Sequence, residues 1–138
     1  RYDVRVLPAR HRVFRDGDAV LYDITSPDGA RLLWATDTGP WDPNWFEAVR
    51  GARFGAVFLE ETLGDREDVS EFHLGLTRFG QMLRRLREVG AVTAATEVVA
   101  VHLGHHNPPL EELDARLAEL GARAGHDGEG LDLQVGGR

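Results

Sequence analysis

The 138-residue chain contains no cysteine. Disulfides and thiolate metal sites are therefore excluded, and any metal ion must be held by His, Asp or Glu. No apolar run approaches the roughly 20 residues that cross a bilayer, and no signal peptide is visible. No membrane partner is expected, and the cytoplasm is the expected location. Positive charge is scarce: 16 Lys and Arg stand against 23 Asp and Glu, a net charge of −7. That balance argues against a nucleic-acid partner bound through broad positive charge. It leaves open a small phosphate substrate held through a metal. Internal repeats, low-complexity segments and linkers are also missing.

What is present fits one soluble globular unit. The length suits a single domain with a modest core, and 42% apolar with 28% charged residues is ordinary for that class. The chain opens on Arg1 rather than Met, so a fragment or a processed chain is expected.

The densest chemistry lies in residues 98–109. Val98, Val99, Ala100 and Val101 read as a buried strand. Three histidines follow, at His102, His105 and His106, with Gly104 letting the backbone turn. Asn107 and Pro108 look like the N-cap and first position of a helix. A His cluster at a strand-to-helix junction is where an α/β protein can place a metal or catalytic site. A solvated polar loop is the alternative.

Along the chain, polar and apolar residues alternate over 3–7, which predicts a strand. Asp16-Gly17-Asp18 reads as a turn. Strands over 19–25 and 31–35, joined at Ser26-Pro27-Asp28-Gly29, read as a hairpin. Asp42 can cap a short helix to Val49, and 55–59 is a short buried strand. Asp68 and Glu71 resemble a capping box for a helix running to Glu88, with Phe72, Leu76, Phe79, Leu83 and Leu86 on one stripe. A strand over 97–102, a helix over 109–120 and a last strand over 131–135 complete the set. The order β, ββ, α, β, α, β, α, β predicts a mixed sheet with a helical layer on one face.

Several polar groups end strands. Asp37 follows the strand 31–35, Glu60 and Glu61 end 55–59, and His102 ends 97–101. Where these strands run parallel, the groups share one sheet edge, and His11 after the first strand can join them. An Asp can bridge two divalent ions while neutral His nitrogens fill other positions. Asp37 also fits a plain turn-former in Thr-Asp-Thr-Gly-Pro, and His11 a surface residue between two arginines. Glu60 and Glu61 read as structural or supporting groups rather than ligands. His73 reads either as a surface residue of the first helical turn or as a group leaning over the site. His126 reads as surface, and Trp34, Trp41 and Trp45 as core and rim packing.

His11, then Asp37 in Thr-Asp-Thr-Gly-Pro, then His102 in Val-His-Leu-Gly-His, resembles the metallo-β-lactamase fold superfamily. The likeness is greatest to its phosphodiesterase branch, which includes tRNase Z and the cyclic-phosphate phosphodiesterase of phosphonate breakdown. It covers nearly the whole chain, as the C-terminal half of a four-layer αβ/βα sandwich. The resemblance implies an α/β (α+β) fold, with 1–138 a single partial domain lacking its N-terminal half. It implies two divalent metal ions, with zinc first and manganese or iron as alternatives. It assigns His11, Asp37 and His102 as metal ligands, with Asp37 bridging. It assigns His73, in Glu71-Phe72-His73-Leu74, and His105 to proton donation or phosphate contact.

The superfamily's His-x-His-x-Asp-His cluster is absent from these residues. By the resemblance that cluster supplies four of the seven ligands. The expectation is therefore a metal-dependent phosphodiesterase of a small phosphate ester, with metal-bound hydroxide as nucleophile, whose isolated C-terminal part is inactive or nearly so. One sheet face should be left exposed, favouring aggregation or pairing, including as a homo-oligomer. The alternatives are a non-catalytic binding or assembly domain, and a thioester or lactone hydrolase on the same fold.

Overall fold

In a computed structural model, residues 1–11 and 19–133 are described. Six strands form one mixed sheet whose spatial order follows the chain. β1 (Asp3–Pro8), β2 (Val20–Thr25) and β3 (Arg31–Ala35) are antiparallel neighbours. β4 (Ala56–Glu60), β5 (Glu97–Val101) and β6 (Arg123–Ala124) then add in parallel. A 3-10 helix, Pro43–Val49, joins β3 to β4. Helix α1 (Leu76–Glu88) joins β4 to β5, and α2 (Leu110–Glu119) joins β5 to β6. Each parallel connection steps the same way across the sheet. Right-handed crossovers that all step one way put their helices on one face.

The core lies under those helices. Leu33, Ala35, Val57, Leu59, Val98 and Ala100 from the sheet meet Phe79, Leu83 and Leu86 of α1 and Leu113 and Leu117 of α2, all buried. Each fully buried Leu or Phe contributes about 1.5–3 kcal/mol. On the same face, buried Asp23 accepts hydrogen bonds from Arg5 at 2.8 Å and from Arg31 at 2.6 and 2.8 Å.

The opposite face is uncovered over β1 to β3, while Ala56 and Val99 on it are buried. Cross-strand register lines up Val6, Tyr22, Trp34 and Phe58 in one row. Val6, Tyr22 and Trp34 are exposed, and Trp34 tilts against Phe58 at 4.9 Å between ring centroids. Trp41 is buried and Trp45 packs at the core's edge, as expected, but Trp34 stands on the open face.

Three elements differ from the sequence reading. Helix α1 begins at Leu76, with Gly75 as N-cap, so the capping box at Asp68 and Glu71 does not form. Asp68 pairs with Arg66 instead. The stretch before α1 is tied down by tertiary hydrogen bonds: Thr62 and Leu63 N–H donate to Leu74 O, and Leu76 N–H to Gly64 O. A Cβ at Gly75 would overlap Gly64 O. Asn107 does not cap α2, whose N-cap is Pro109. Residues 131–133 are not in a strand, because β6 takes the edge beside β5. The rest of that expected strand, 134–135, and the turn at Asp16-Gly17-Asp18 lie outside the described residues.

Candidate metal centre

β1, β3, β4 and β5 all point the same way, so the chain leaves each at one sheet edge. His11, Asp37, Glu60 and His102 follow or end these strands and meet there. His73, from the irregular stretch before α1, joins them. One ligating atom from each of Asp37, Glu60, His73 and His102 lies within 4.8 Å of the others. Asp37 Oδ1 is the common neighbour: His11 Nδ1 is 3.3 Å away, His73 Nδ1 3.8 Å and His102 Nε2 4.0 Å. The imidazoles of His11 and His73 meet edge-on at 5.3 Å, and those of His73 and His102 stack at 5.6 Å.

The backbone is bent to make this possible. Asp37 and His102 adopt left-handed φ of 57° and 58°. Non-glycine residues rarely do so, and such conformations gather at functional sites when the surroundings over-determine them.

Glu60 is the buried organiser. Its Oε1 accepts from Thr62 Oγ1 at 2.7 Å, from His73 Nδ1 at 2.6 Å and from the Leu74 N–H at 3.3 Å. Its Oε2 accepts from the Thr38 N–H. Three donors of the chain itself crowd Oε1 and one engages Oε2, so Glu60 chiefly holds other groups in place. The single Thr62 hydroxyl hydrogen can go to Glu60 Oε1 or to the His102 carbonyl oxygen, and the shorter contact to Glu60 selects one pair of tautomers. With the Thr62 hydroxyl donated to Glu60, His102 Nδ1–H donates to Thr62 Oγ1 at 2.9 Å. Nε2 of His102 then carries the free lone pair, facing Asp37. His73 donates Nδ1–H to Glu60 and keeps Nε2 for other work.

The donor set fits a divalent ion. Nitrogen and oxygen ligands at about 2.0–2.2 Å from zinc stand roughly 3–4 Å from one another. Hydrogen-bonded partners would be closer, near 2.9 Å. His11 Nδ1 is buried and, among the described residues, makes no hydrogen bond despite facing Asp37 Oδ1 at 3.3 Å. Two nitrogens and a carboxylate spaced in this way suit a shared cation better than a hydrogen-bond network.

Other histidines stay outside. His105 is exposed in the turn after β5 and, among the described residues, makes no hydrogen bond or ion pair with the cluster. Its side chain is left in solvent because the turn packs through its backbone. His106 and His126 are also exposed. The pairing of Glu60 with His73 was not foreseen, because it spans an irregular stretch that carries no periodic signal.

Glu61 is fully buried beside Glu60 but points elsewhere, accepting the Gly64 N–H at 2.9 Å. Burial pushes its carboxyl up to about 6.

No family model matches the chain, and no curated protein matches it in sequence. Solved structures share its fold. Among them is Igni18, a novel metallo hydrolase from the hyperthermophilic archaeon Ignicoccus hospitalis, with 17% identity and a TM-score of 0.63 over 93% of this chain and 51% of that one. Unliganded yeast PDE1 has 13% identity and a TM-score of 0.61 over 89% of this chain and 43% of its own. A possible metal-dependent hydrolase from Veillonella parvula has 14% identity and a TM-score of 0.64 over 93% and 53%. The chain spans about half the length of these structures. At such identities the likeness is one of fold: the chain folds as about half of a metallo hydrolase, with the mixed sheet and one-sided helices that the resemblance implied.

Proposed function

We propose that this chain supplies about half of a divalent-metal hydrolase centre that acts on small phosphodiesters. One observation carries the reading. At the carboxyl ends of parallel strands, His11 Nδ1 at 3.3 Å and His102 Nε2 at 4.0 Å flank Asp37 Oδ1, with Glu60 and His73 grouped beside them. The phosphodiester class is supported by the likeness to yeast PDE1, a phosphodiesterase. His11, Asp37 and His102 would hold the metal, zinc first, and two ions are the expected complement. The chain's span of about half its structural neighbours supports further ligands from residues beyond these 138.

Bound there, a divalent ion supplies Lewis acidity and lowers the pKa of water. The chain's own residues do the remaining work. Asp37 brings negative charge to the centre. Thr62 holds the His102 ring so that Nε2 faces Asp37. Glu60 anchors His73 through Nδ1, leaving the Nε2 lone pair to take the proton that the attacking water gives up and pass it to a departing oxygen.

The test is titration of the complete protein, with the residues that supply the further ligands, by zinc and manganese calorimetry, with Asp37→Asn in parallel. The protein is also assayed on a bis-aryl phosphate and on an aryl thioester. Metal uptake lost in Asp37→Asn, with phosphate preferred over thioester, supports the proposal. Metal uptake with thioester preference makes it an acyl hydrolase. No metal uptake at all returns the chain to a binding or assembly role.

A further inference from the structure

His102 adopts a left-handed φ of 58°, uncommon for a non-glycine residue, and neighbouring residues can hold it there. The hold comes from residues 60–64. Glu61 N–H donates to Val101 O at 2.9 Å, just before the turn. Thr62 Oγ1 lies 2.9 Å from both Nδ1 and the carbonyl oxygen of His102. The two segments approach so closely that side chains are excluded. A Cβ at Gly104 would overlap Thr62 O, and one at Gly64 would come within 2.6 Å of His106 O.

Asn107 closes this contact. Its Nδ2 stands among three backbone carbonyls, those of Glu61 and Gly104 at 3.4 Å and of Thr62 at 3.5 Å. With two N–H to share among them, it reaches from the turn to the carbonyls of the segment that grips His102. Glu61, buried beneath, seats that segment by accepting the Gly64 N–H. The Asn107 side chain also lies beside the Glu61 carboxyl. Glu61 Oε2 and Asn107 Oδ1 are both buried without a partner among the described residues.

We propose that Asn107, seated by Glu61, is a positioning residue: the pair clamps residues 102–107 onto residues 61–64 and so holds His102 in its left-handed conformation. Where it concerns metal affinity, this rests on the metal-centre reading above. The conformational part does not.

The experiment is nuclear magnetic resonance on the metal-free chain, reading the HN–Hα coupling and Cα shift of His102, which report its φ. Zinc calorimetry accompanies it. In Asn107→Ala, His102 leaves the left-handed region and zinc affinity falls about tenfold or more, the usual effect of removing a group that orients a ligand. In Glu61→Gln, which keeps an oxygen for Gly64 and offers an N–H to Asn107, both readouts stay as in the native chain. Val98→Ala, a core change in β5, lowers stability without moving either. His102 keeping its φ in Asn107→Ala overturns the clamp, and so does Val98→Ala reproducing the change. If Asn107→Ala does not fold, Asn107→Asp removes the amide donor and is read the same way. Failure of the native chain to bind zinc overturns the metal-centre reading alone, and the φ of His102 still decides the clamp.

Discussion

Asp37 and His102, past the ends of different strands, share one unusual backbone state, and Oδ1 of the first lies 4.0 Å from Nε2 of the second. Each sits at or just past the end of a parallel strand, where a left-handed residue turns the chain sharply away from the sheet. The side chain then stays at the edge while the backbone leaves.

This conformation has a measurable signature. At either position Asn tolerates positive φ, whereas a β-branched residue does not. Asp37→Val is expected to be less stable than Asp37→Asn by about 1–2 kcal/mol, and His102→Val than His102→Asn by a similar amount. Urea unfolding of the metal-free variants measures both differences. Equal stabilities within each pair would remove the strain argument.

Glu60 accepts from Thr62, His73, Leu74 and Thr38 with no exposure to solvent. Glu60→Gln must turn an amide N–H toward one of those donors. A loss of about 1–3 kcal/mol is expected from the unsatisfied pair. The ring nitrogens of His73 should also change their pattern in 15N spectra, because Nδ1 loses its carboxylate. A variant with native stability and native His73 signals would show that Glu60 organises nothing.

Glu61 gives the chain a pH dependence of known sign. Burial raises its carboxyl from 4.5 to about 6, so the folded state favours the protonated form. The associated stability is fully present below about pH 4.5 and is lost as pH rises through 6. The difference amounts to about 2 kcal/mol. Glu61→Gln should match the native chain near pH 4 and exceed it by about that amount at pH 7.5. Urea unfolding of both proteins across this range isolates the one group. A difference that does not vary with pH would place the proton elsewhere.

The open sheet face should behave as a sticky surface. Val6, Tyr22 and Trp34 are exposed in one cross-strand row. Concentration-dependent self-association is expected in sedimentation velocity, together with binding of a hydrophobic dye. Trp34→Lys should reduce both while costing only about 0.5–1 kcal/mol, the value of its cross-strand contacts. A native chain that stays monomeric and dark to the dye would show that this face needs no cover.

Much of this was legible in the sequence, for reasons that can be named. Alternating or continuous apolar runs marked β1 to β5, because each strand's burial is a local pattern. Asp37, Glu60 and His102 could be placed on one edge once the strands were read as parallel, since strand ends carry that information. The start of α1 was misread because Asp68 and Glu71 satisfy a local capping rule, whereas Leu74 O and Gly64 O are claimed by distant N–H groups. Asn107 was misread for the same reason. Asn-Pro-Pro is a good helix start, yet its amide reaches carbonyls 45 and 46 residues away. β6 is two residues long, too short to announce itself.

The carboxylate of Glu60 gathers Thr38, Thr62, His73 and Leu74, which come from separate stretches of chain. Ordering such stretches costs about 1–2 kcal/mol per residue in backbone entropy. Here that ordering is complete when the chain folds. An arriving ion would find the ligands that this chain supplies already in place, and little of its binding free energy would be consumed in assembling them. Affinity at this edge would then be governed by the number of ligands and the charge around them, with loop closure making only a small contribution.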